Sequence, residues 1–277
     1  MFEVPEVTLN NGVRMPQLGF GVWQVGSAEA TDVVGTALQA GYRSIDTAAA
    51  YGNEEGVGEA VRRSGIARDD LFITSKLWNS DQGYDATLRA FDASMQRLGL
   101  EQLDLYLIHW PLPARDAYVS TWKALERLYA DGRVRAIGVS NFQTAHLERV
   151  MDEGGITPMV NQIELHPRLV QEELRRFDAR HGIATEAWSP LGQGNLLQDP
   201  VIVKIAEAYG KSPAQVIIRW HLQLGNVVIP KSATPERIRA NIDVFDFELS
   251  SGDVEAVTGL NADQRFGPAP DTFDVAD

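Results

Sequence analysis

The chain has no cysteine among its 277 residues. Disulfides, thiolate nucleophiles and Cys-ligated zinc are therefore excluded. No run is long and apolar enough to span a bilayer. The opening residues, Met1-Phe2-Glu3-Val4-Pro5, lack the basic-then-apolar order of a signal peptide. Basic residues are in the minority: 25 Lys and Arg stand against 38 Asp and Glu, a formal net charge of -13. With no long basic run either, nucleic acid and anionic membrane are poor partners. The five histidines, His109, His146, His166, His181 and His221, form no His-x-His or His-Glu-x-x-His pair. No metal site is expected from them, and His166 with Glu164 reads as structural support. A Gly-rich dinucleotide turn is missing too. Gly19-Phe20-Gly21 lacks its third glycine, and Gly56-Val57-Gly58 also fails. Gly210-Lys211-Ser212 lacks the earlier glycine of a phosphate loop, Ile205 standing in its place. Ser212 and Pro213 read instead as the N-cap and first residue of a helix. A soluble, cytoplasmic, monomeric protein is the default expectation.

What is present suits a folded α/β enzyme. Hydrophobic residues make up 44% and charged residues 23%, enough for a sizeable core. Val7-Thr8-Leu9, Asn10-Asn11-Gly12 and Val13 to Phe20 predict an N-terminal hairpin, its Asn-Gly taking positive φ. Beyond it, strand and helix signals alternate to near residue 241. Leu88, Phe91, Met95 and Leu98 repeat at helical spacing before Gly99, as do Tyr118, Trp122, Leu125 and Tyr129 before Gly132. Asn53 with Glu54 and Glu55 predicts a helix start. This rhythm implies a parallel sheet, either a closed eight-stranded barrel or an open doubly wound sheet. Length and the number of units favour the (β/α)8 barrel. No linker divides the chain, so residues 1–277 read as one domain. The Pro- and Asp-rich segment from Asn261 to Asp277 is expected to form a loop over the barrel mouth.

Polar residues directly follow short apolar runs at seven places: Asp46, Lys76, His109, Asn141, Gln162, Trp188 and Lys231. If the runs are parallel strands, these side chains collect at one end of the sheet, where such enzymes do their chemistry. Asp46, Tyr51, Lys76 and His109 form the candidate catalytic set. Carbonyl reduction needs a proton donor, and a free tyrosine, with a pKa of about 10, gives up its proton reluctantly. A neighbouring ammonium favours the phenolate and lowers that value. Lys76 can do this if Asp46 holds it by an ion pair, and His109 can donate to the carbonyl. Taken singly, each residue has an ordinary reading. Asp46 could cap a helix, Lys76 could be a solvated charge, His109 a satisfied buried imidazole, and Tyr51 a packed loop residue.

The motifs Gly41-Tyr42-Arg43-Ser44-Ile45-Asp46-Thr47-Ala48, Tyr51-Gly52-Asn53-Glu54 and Ile73-Thr74-Ser75-Lys76-Leu77-Trp78 resemble those of aldo-keto reductases. So do Leu103 through Pro111, Ile137 through Phe142, Asn161 through Pro167, and Ile229-Pro230-Lys231-Ser232. The likeness covers nearly the whole chain and leans to the bacterial branch that includes 2,5-diketo-D-gluconate reductases. It implies a barrel that binds NADPH without a dinucleotide-binding sheet and reduces small carbonyl compounds, sugar-derived ones among them. It implies Tyr51 as proton donor, Lys76 and Asp46 as its tuning pair, and His109 as the group that orients substrate. Ser140, Asn141 and Gln162 match positions that hydrogen-bond the nicotinamide carboxamide. Trp188, where many relatives carry Tyr, matches the residue that stacks on the ring. Ser189, Leu191 and Gln193 match the pyrophosphate loop. Lys231, Ser232, Arg237 and Asn241 match the far end of the cofactor, where cations and donors suit a 2′-phosphate. Two departures fall there: Ala240 stands where relatives often have Glu or Gln, and Thr234 where some carry a basic residue.

Trp23, Trp78 and Trp110 match positions around the substrate mouth, an apolar wall with few polar anchors. Two other functions remain open at this stage. One is a cofactor-binding regulatory module without turnover; the other is a metal-dependent hydrolase. The physiological substrate does not follow from the residues. Specificity is expected in Asp81–Tyr84, Pro113–Asp116 and the C-terminal tail.

Overall fold

The computed structural model describes residues 4–275. Most of the opening stretch read for a signal peptide, residues 1–3, and the last two residues of the tail lie outside the described residues. In chain order the elements are β1 (Glu6–Thr8), β2 (Arg14–Pro16), β3 (Phe20–Gly21), α1 (Ser27–Ala40), β4 (Ser44–Asp46), α2 (Glu54–Arg63) and β5 (Phe72–Leu77). Then come α3 (Tyr84–Leu98), β6 (Leu103–Ile108), α4 (Tyr118–Ala130), β7 (Val134–Ser140), α5 (Thr144–Glu153), β8 (Val160–Glu164) and α6 (Glu172–Arg180). The chain continues through β9 (Ala184–Trp188), α7 (Pro200–Tyr209), α8 (Pro213–Gln223), β10 (Val227–Val228), α9 (Pro235–Ile242) and α10 (Ser251–Thr258).

β3 to β10 form one parallel sheet of eight strands in sequential order. The sheet curls until its edges meet: Gly19 N–H donates to the Val228 carbonyl at 2.9 Å, and Val228 N–H to that of Gln17 at 3.0 Å. Such strands are buried on both faces and read as continuous apolar runs. β6, Leu-Asp-Leu-Tyr-Leu-Ile, is buried at every position. Its Asp104 is satisfied by Arg68 at 2.5 Å, Arg135 at 2.7 Å and the Ile73 amide at 2.8 Å. The helices pack outside, and α1 to α6 each return the chain to the start of the next strand, as α7 and α8 do together between β9 and β10.

The hairpin differs from the sequence reading in two ways. Its second arm stops at Pro16, because Phe20 and Gly21 pair with β4 as the first barrel strand. The turn has positive φ at Gly12 alone (86°). Gly12 N–H bonds the Leu9 carbonyl and Leu9 N–H that of Val13, so the turn is a three-residue loop closed by a glycine. Asn11 and Asn10 donate to the carbonyls of Arg135 and Pro158, both at 3.0 Å. Those groups lie at the starts of β7 and β8, so the hairpin covers the end of the barrel opposite Asp46 and His109.

Two expected helix starts turn out differently. Ser212 and Gln215 make the reciprocal cap expected before Pro213. Asn53 precedes α2 as expected, but its side chain does not cap the helix. It instead donates to the Val22 and Val25 carbonyls, both at 3.0 Å, and accepts from Thr47 at 2.6 Å. This fastens the loop that carries Tyr51.

Helices α2 and α3 approach so closely that a Cβ on Gly58 would sit 2.0 Å from the Leu98 carbonyl oxygen. Alanine ordinarily favours a helix interior over glycine by about 1 kcal/mol. Here the clash with backbone outweighs that gain. Gly58→Ala is expected to lower the urea unfolding free energy by about 2 kcal/mol. An unchanged or raised midpoint would remove the close crossing.

Candidate active site

The strand ends differ in detail from the sequence reading. His109 and Asn141 follow their strands directly, whereas Lys76 and Gln162 lie inside β5 and β8. Apolar runs stop at the first polar residue, but the ladder continues past it while hydrogen bonds remain to be made. The consequence is chemical. Lys76 is 0% exposed, and so must be satisfied inside the barrel.

It is satisfied by three acceptors. Nζ lies 2.5 Å from Asp46 Oδ1, 2.9 Å from the Thr47 carbonyl and 3.4 Å from Tyr51 Oη. An ammonium has three N–H donors, and each has a partner here. Burial works against the charge, but Asp46 and then the tyrosine oxygen outweigh it, and the Lys76 pKa is raised. Lys76 stays cationic.

The same geometry sets Tyr51. Burial raises its pKa, and the Lys76 charge pulls the other way. The sequence reading expected a lowered value. The Lys76 effect has the expected sign, but loss of hydration is the larger of the two. Tyr51 is therefore a neutral phenol in the free protein. Because Lys76 donates to its oxygen, its own O–H is turned away from Lys76. His109 stands beside it, with ring centroids 5.7 Å apart, and Trp78 packs edge-on to His109 at 5.2 Å. Burial and then the Lys76 charge lower the His109 pKa well below 6.5. Its Nδ1 is buried without a partner among the described residues. An unpaired acceptor nitrogen is more tolerable than an unpaired N–H, so the neutral ring carries its proton on Nε2.

Asp46, Tyr51 and His109 line a cavity of about 690 Å³, together with Trp23, Trp78, Trp110, Ser140, Asn141, Gln162, Trp188, Ser189, Gln193 and Lys231. Lys76 sits beneath its floor. Leu191, Ser232, Arg237 and Asn241 do not line it. Leu191 packs against the core. Ser232 accepts from the Thr234 amide at 3.2 Å, and Arg237 is exposed in the first turn of α9. Leu191 and Ser232 adjoin the cavity-lining Pro190 and Lys231 in sequence, whereas Arg237 and Asn241 stand on α9.

On one wall, Ser140 Oγ donates to the Gln162 carbonyl at 2.9 Å. Asn141, at φ 64°, donates to the His109 carbonyl at 2.9 Å and accepts from Trp188 Nε1 at 2.8 Å. Its two amide hydrogens are thus committed to protein partners, while its oxygen, which accepts one bond from Trp188, keeps a second lone pair for a ligand. Gln162 instead gives its nitrogen to carboxyl groups below it, and among the described residues its oxygen has no protein partner. A wall of amides and a hydroxyl beside an indole fits an aromatic ring that bears a carboxamide. The exposed Lys231 and Arg237 add cations suited to phosphate.

Sequence reasoning missed Glu186, fully buried within β9 next to Gln162, and the grip of Glu164 on the C-terminal tail. That tail, expected from Asn261 onward to form a loop over the barrel mouth, contributes Phe266, Gly267 and Pro268 to the cavity lining. Glu164 accepts from the Phe266 amide at 2.6 Å, the Gly267 amide at 3.1 Å and His166 Nε2 at 3.0 Å. A Cβ on Gly267 would meet the Trp188 ring at 2.4 Å, so only glycine lets the segment lie there. A charged residue inside a buried strand was the one available signal for either. Further along, Phe273 packs on Trp110 with centroids 4.4 Å apart, and Asp274 pairs with Arg115 at 2.5 Å.

Comparison with known proteins gives a consistent result. The sequence model of the Aldo/keto reductase family matches residues 17–262. The glyoxal reductase of Bacillus subtilis is 58% identical over 266 residues, covering 96% of this chain and 96% of that protein. The solved aldo/keto reductase from Brucella melitensis superposes with a TM-score of 0.92 at 59% identity, over 94% of this chain and 99% of that one. A variant of Gox0644 solved in complex with NADPH gives a TM-score of 0.95 at 49% identity, over 99% of this chain and all of that one (100%).

The His109 environment makes a pH prediction. The native ring takes a proton only well below pH 6.5, the value of a free imidazole. As pH falls through that value, the unfolded chain binds a proton that the native state refuses, so His109 lowers stability in acid. Ring 15N shifts assigned to His109 are expected not to titrate at or above pH 6.5. An inflection there would contradict the buried neutral ring.

Proposed function

The chain belongs to the aldo/keto reductase family, an oxidoreductase family, and from that premise we propose that it reduces small aldehydes and ketones to alcohols with NADPH, with Tyr51 as the proton donor. The whole chain acts as a single domain. Bound NADPH supplies the hydride that the carbonyl carbon receives. The remaining work falls to the protein. Nε2–H of neutral His109 and the O–H of Tyr51 converge on the carbonyl oxygen and orient it. Tyr51 gives up its proton, and the Lys76 ammonium stabilises the phenolate left behind. Asp46 keeps Lys76 charged and in place. His109 is too weak a base to be the acid at neutral pH, which leaves the tyrosine.

Ser140, Asn141 and Gln162 would hold the nicotinamide carboxamide, and Trp188 would stack on the ring. Ser189, Leu191 and Gln193 follow the pyrophosphate. Lys231, Ser232, Arg237 and Asn241 take the adenosine end, and the two cations favour NADPH over NADH. Trp23, Trp78 and Trp110 wall the substrate space, with the segment after Asn261 as its outer loop. Three indoles and few polar anchors suit a small carbonyl compound. The glyoxal reductase relative makes α-oxoaldehydes the first candidates.

The reading rests on one observation, the contact of Lys76 with both Asp46 and Tyr51 inside the barrel. Tyr51→Phe is expected to bind NADPH as the parent does while losing reductase turnover by about 10²- to 10⁴-fold. Absorbance loss of NADPH with glyoxal and a panel of aldehydes measures it. Full turnover in the variant removes Tyr51 from the acid role. Cofactor binding with no turnover of any carbonyl by the parent favours a regulatory module.

A further inference from the structure

Glu186 has no part in the proton transfer or the cofactor contacts described above, yet it is a carboxyl group buried in the middle of the barrel. The β8–β9 register sets Gln162 directly beside Glu186. Register partners in neighbouring parallel strands share a face, so both side chains point to the same interior. Gln162 Nε2 lies 2.8 Å from Asp46 Oδ2 and 2.8 Å from Glu186 Oε2. An amide nitrogen has two hydrogens, and both are taken. Asp46, ion-paired to Lys76, can only accept, which identifies the atom beside it as the amide nitrogen rather than the oxygen. The Gln162 oxygen is left on the cavity side.

The charges around Glu186 fit this use. Asp46 faces it from β4, Lys76 from β5 and Gln162 from β8, with Tyr51 beyond Lys76. Its partner on β10 is the uncharged Val227. Burial first, and the Asp46 charge second, push the Glu186 pKa up to about 8. Its Oε1 has no partner among the described residues.

We propose that Glu186 is a positioning residue: it accepts one Gln162 amide hydrogen while Asp46 accepts the other, and so fixes the Gln162 oxygen toward the nicotinamide carboxamide. A locked oxygen receives a carboxamide N–H and refuses a group that has none. The site thereby reads the carboxamide itself, and the same aspartate that anchors Lys76 anchors the cofactor wall. This inference rests on the assignment of Gln162 to the carboxamide in the proposed function.

The test compares the affinities of NADPH and of reduced 3-acetylpyridine adenine dinucleotide phosphate, whose acetyl group carries no N–H. Fluorescence titration measures both without turnover. Glu186→Leu is expected to weaken NADPH about tenfold and to leave the analogue unchanged. Glu186→Gln, whose side-chain oxygen can accept the same hydrogen, is expected to keep the parent affinity for both. If Glu186→Leu does not fold, Glu186→Ala carries the same comparison. The inference is overturned if the apolar variant weakens both ligands equally, if it weakens neither, or if Glu186→Gln is as impaired as Glu186→Leu. Gln162→Leu separates the two levels. A selective loss of NADPH in that variant keeps the cofactor reading and places any failure on Glu186. Equal affinities there sink the cofactor reading, and this inference with it.

Discussion

A single ammonium group buried in the barrel organises the site. Lys76 brings a positive charge into an interior where an unpaired ion is costly, and the rest of the floor is arranged to satisfy it. Asp46 supplies the counter-charge, Thr47 a carbonyl and Tyr51 a phenol oxygen. As a stability device such a pair is poor, since desolvation can exceed the Coulombic gain and an apolar replacement of similar volume is often no worse. As a chemical device it suits the task. It holds a cation against the phenol that the proposed reaction makes briefly anionic, and it does so where water cannot screen the charge.

The barrel makes this arrangement rigid. Asp46, Lys76, Gln162 and Glu186 are far apart in sequence but stand on strands β4, β5, β8 and β9, whose registers are fixed by backbone hydrogen bonds. The two polar centres share Asp46: one carboxylate oxygen holds Lys76, the other Gln162. In the proposed reaction, proton donation and cofactor orientation would thus be tied through one side chain. The outer parts are held more locally. Glu164 grips the amides of Phe266 and Gly267, and the tail beyond reaches Trp110 and Arg115.

Much of this was legible in the sequence. Apolar runs in alternation with helical periodicity implied a parallel sheet, and the residues near their ends gathered at one end of it, six lining the cavity and Lys76 beneath its floor. Other features depended on partners that a linear reading does not see. The ends of β5 and β8 fell inside the ladder because hydrogen bonding continues past the last apolar side chain. The hairpin's second arm was divided because Phe20 found a better partner in β4. The net shift on Tyr51 was upward because burial, which no motif reports, exceeded the pull of Lys76. Glu186 was overlooked although a carboxylate between Thr185 and Ala187 is a conspicuous exception in a buried strand.

The most direct test of the organising role of Lys76 is the Lys76→Met variant, which keeps the side-chain length and removes the charge. NADPH affinity and single-turnover reduction of glyoxal would be measured on the same folded preparation. The account predicts near-parental cofactor affinity with the reduction step slowed by at least about 10²-fold. Reduction at the parental rate would contradict it, because the phenol would then be giving up its proton without the ammonium.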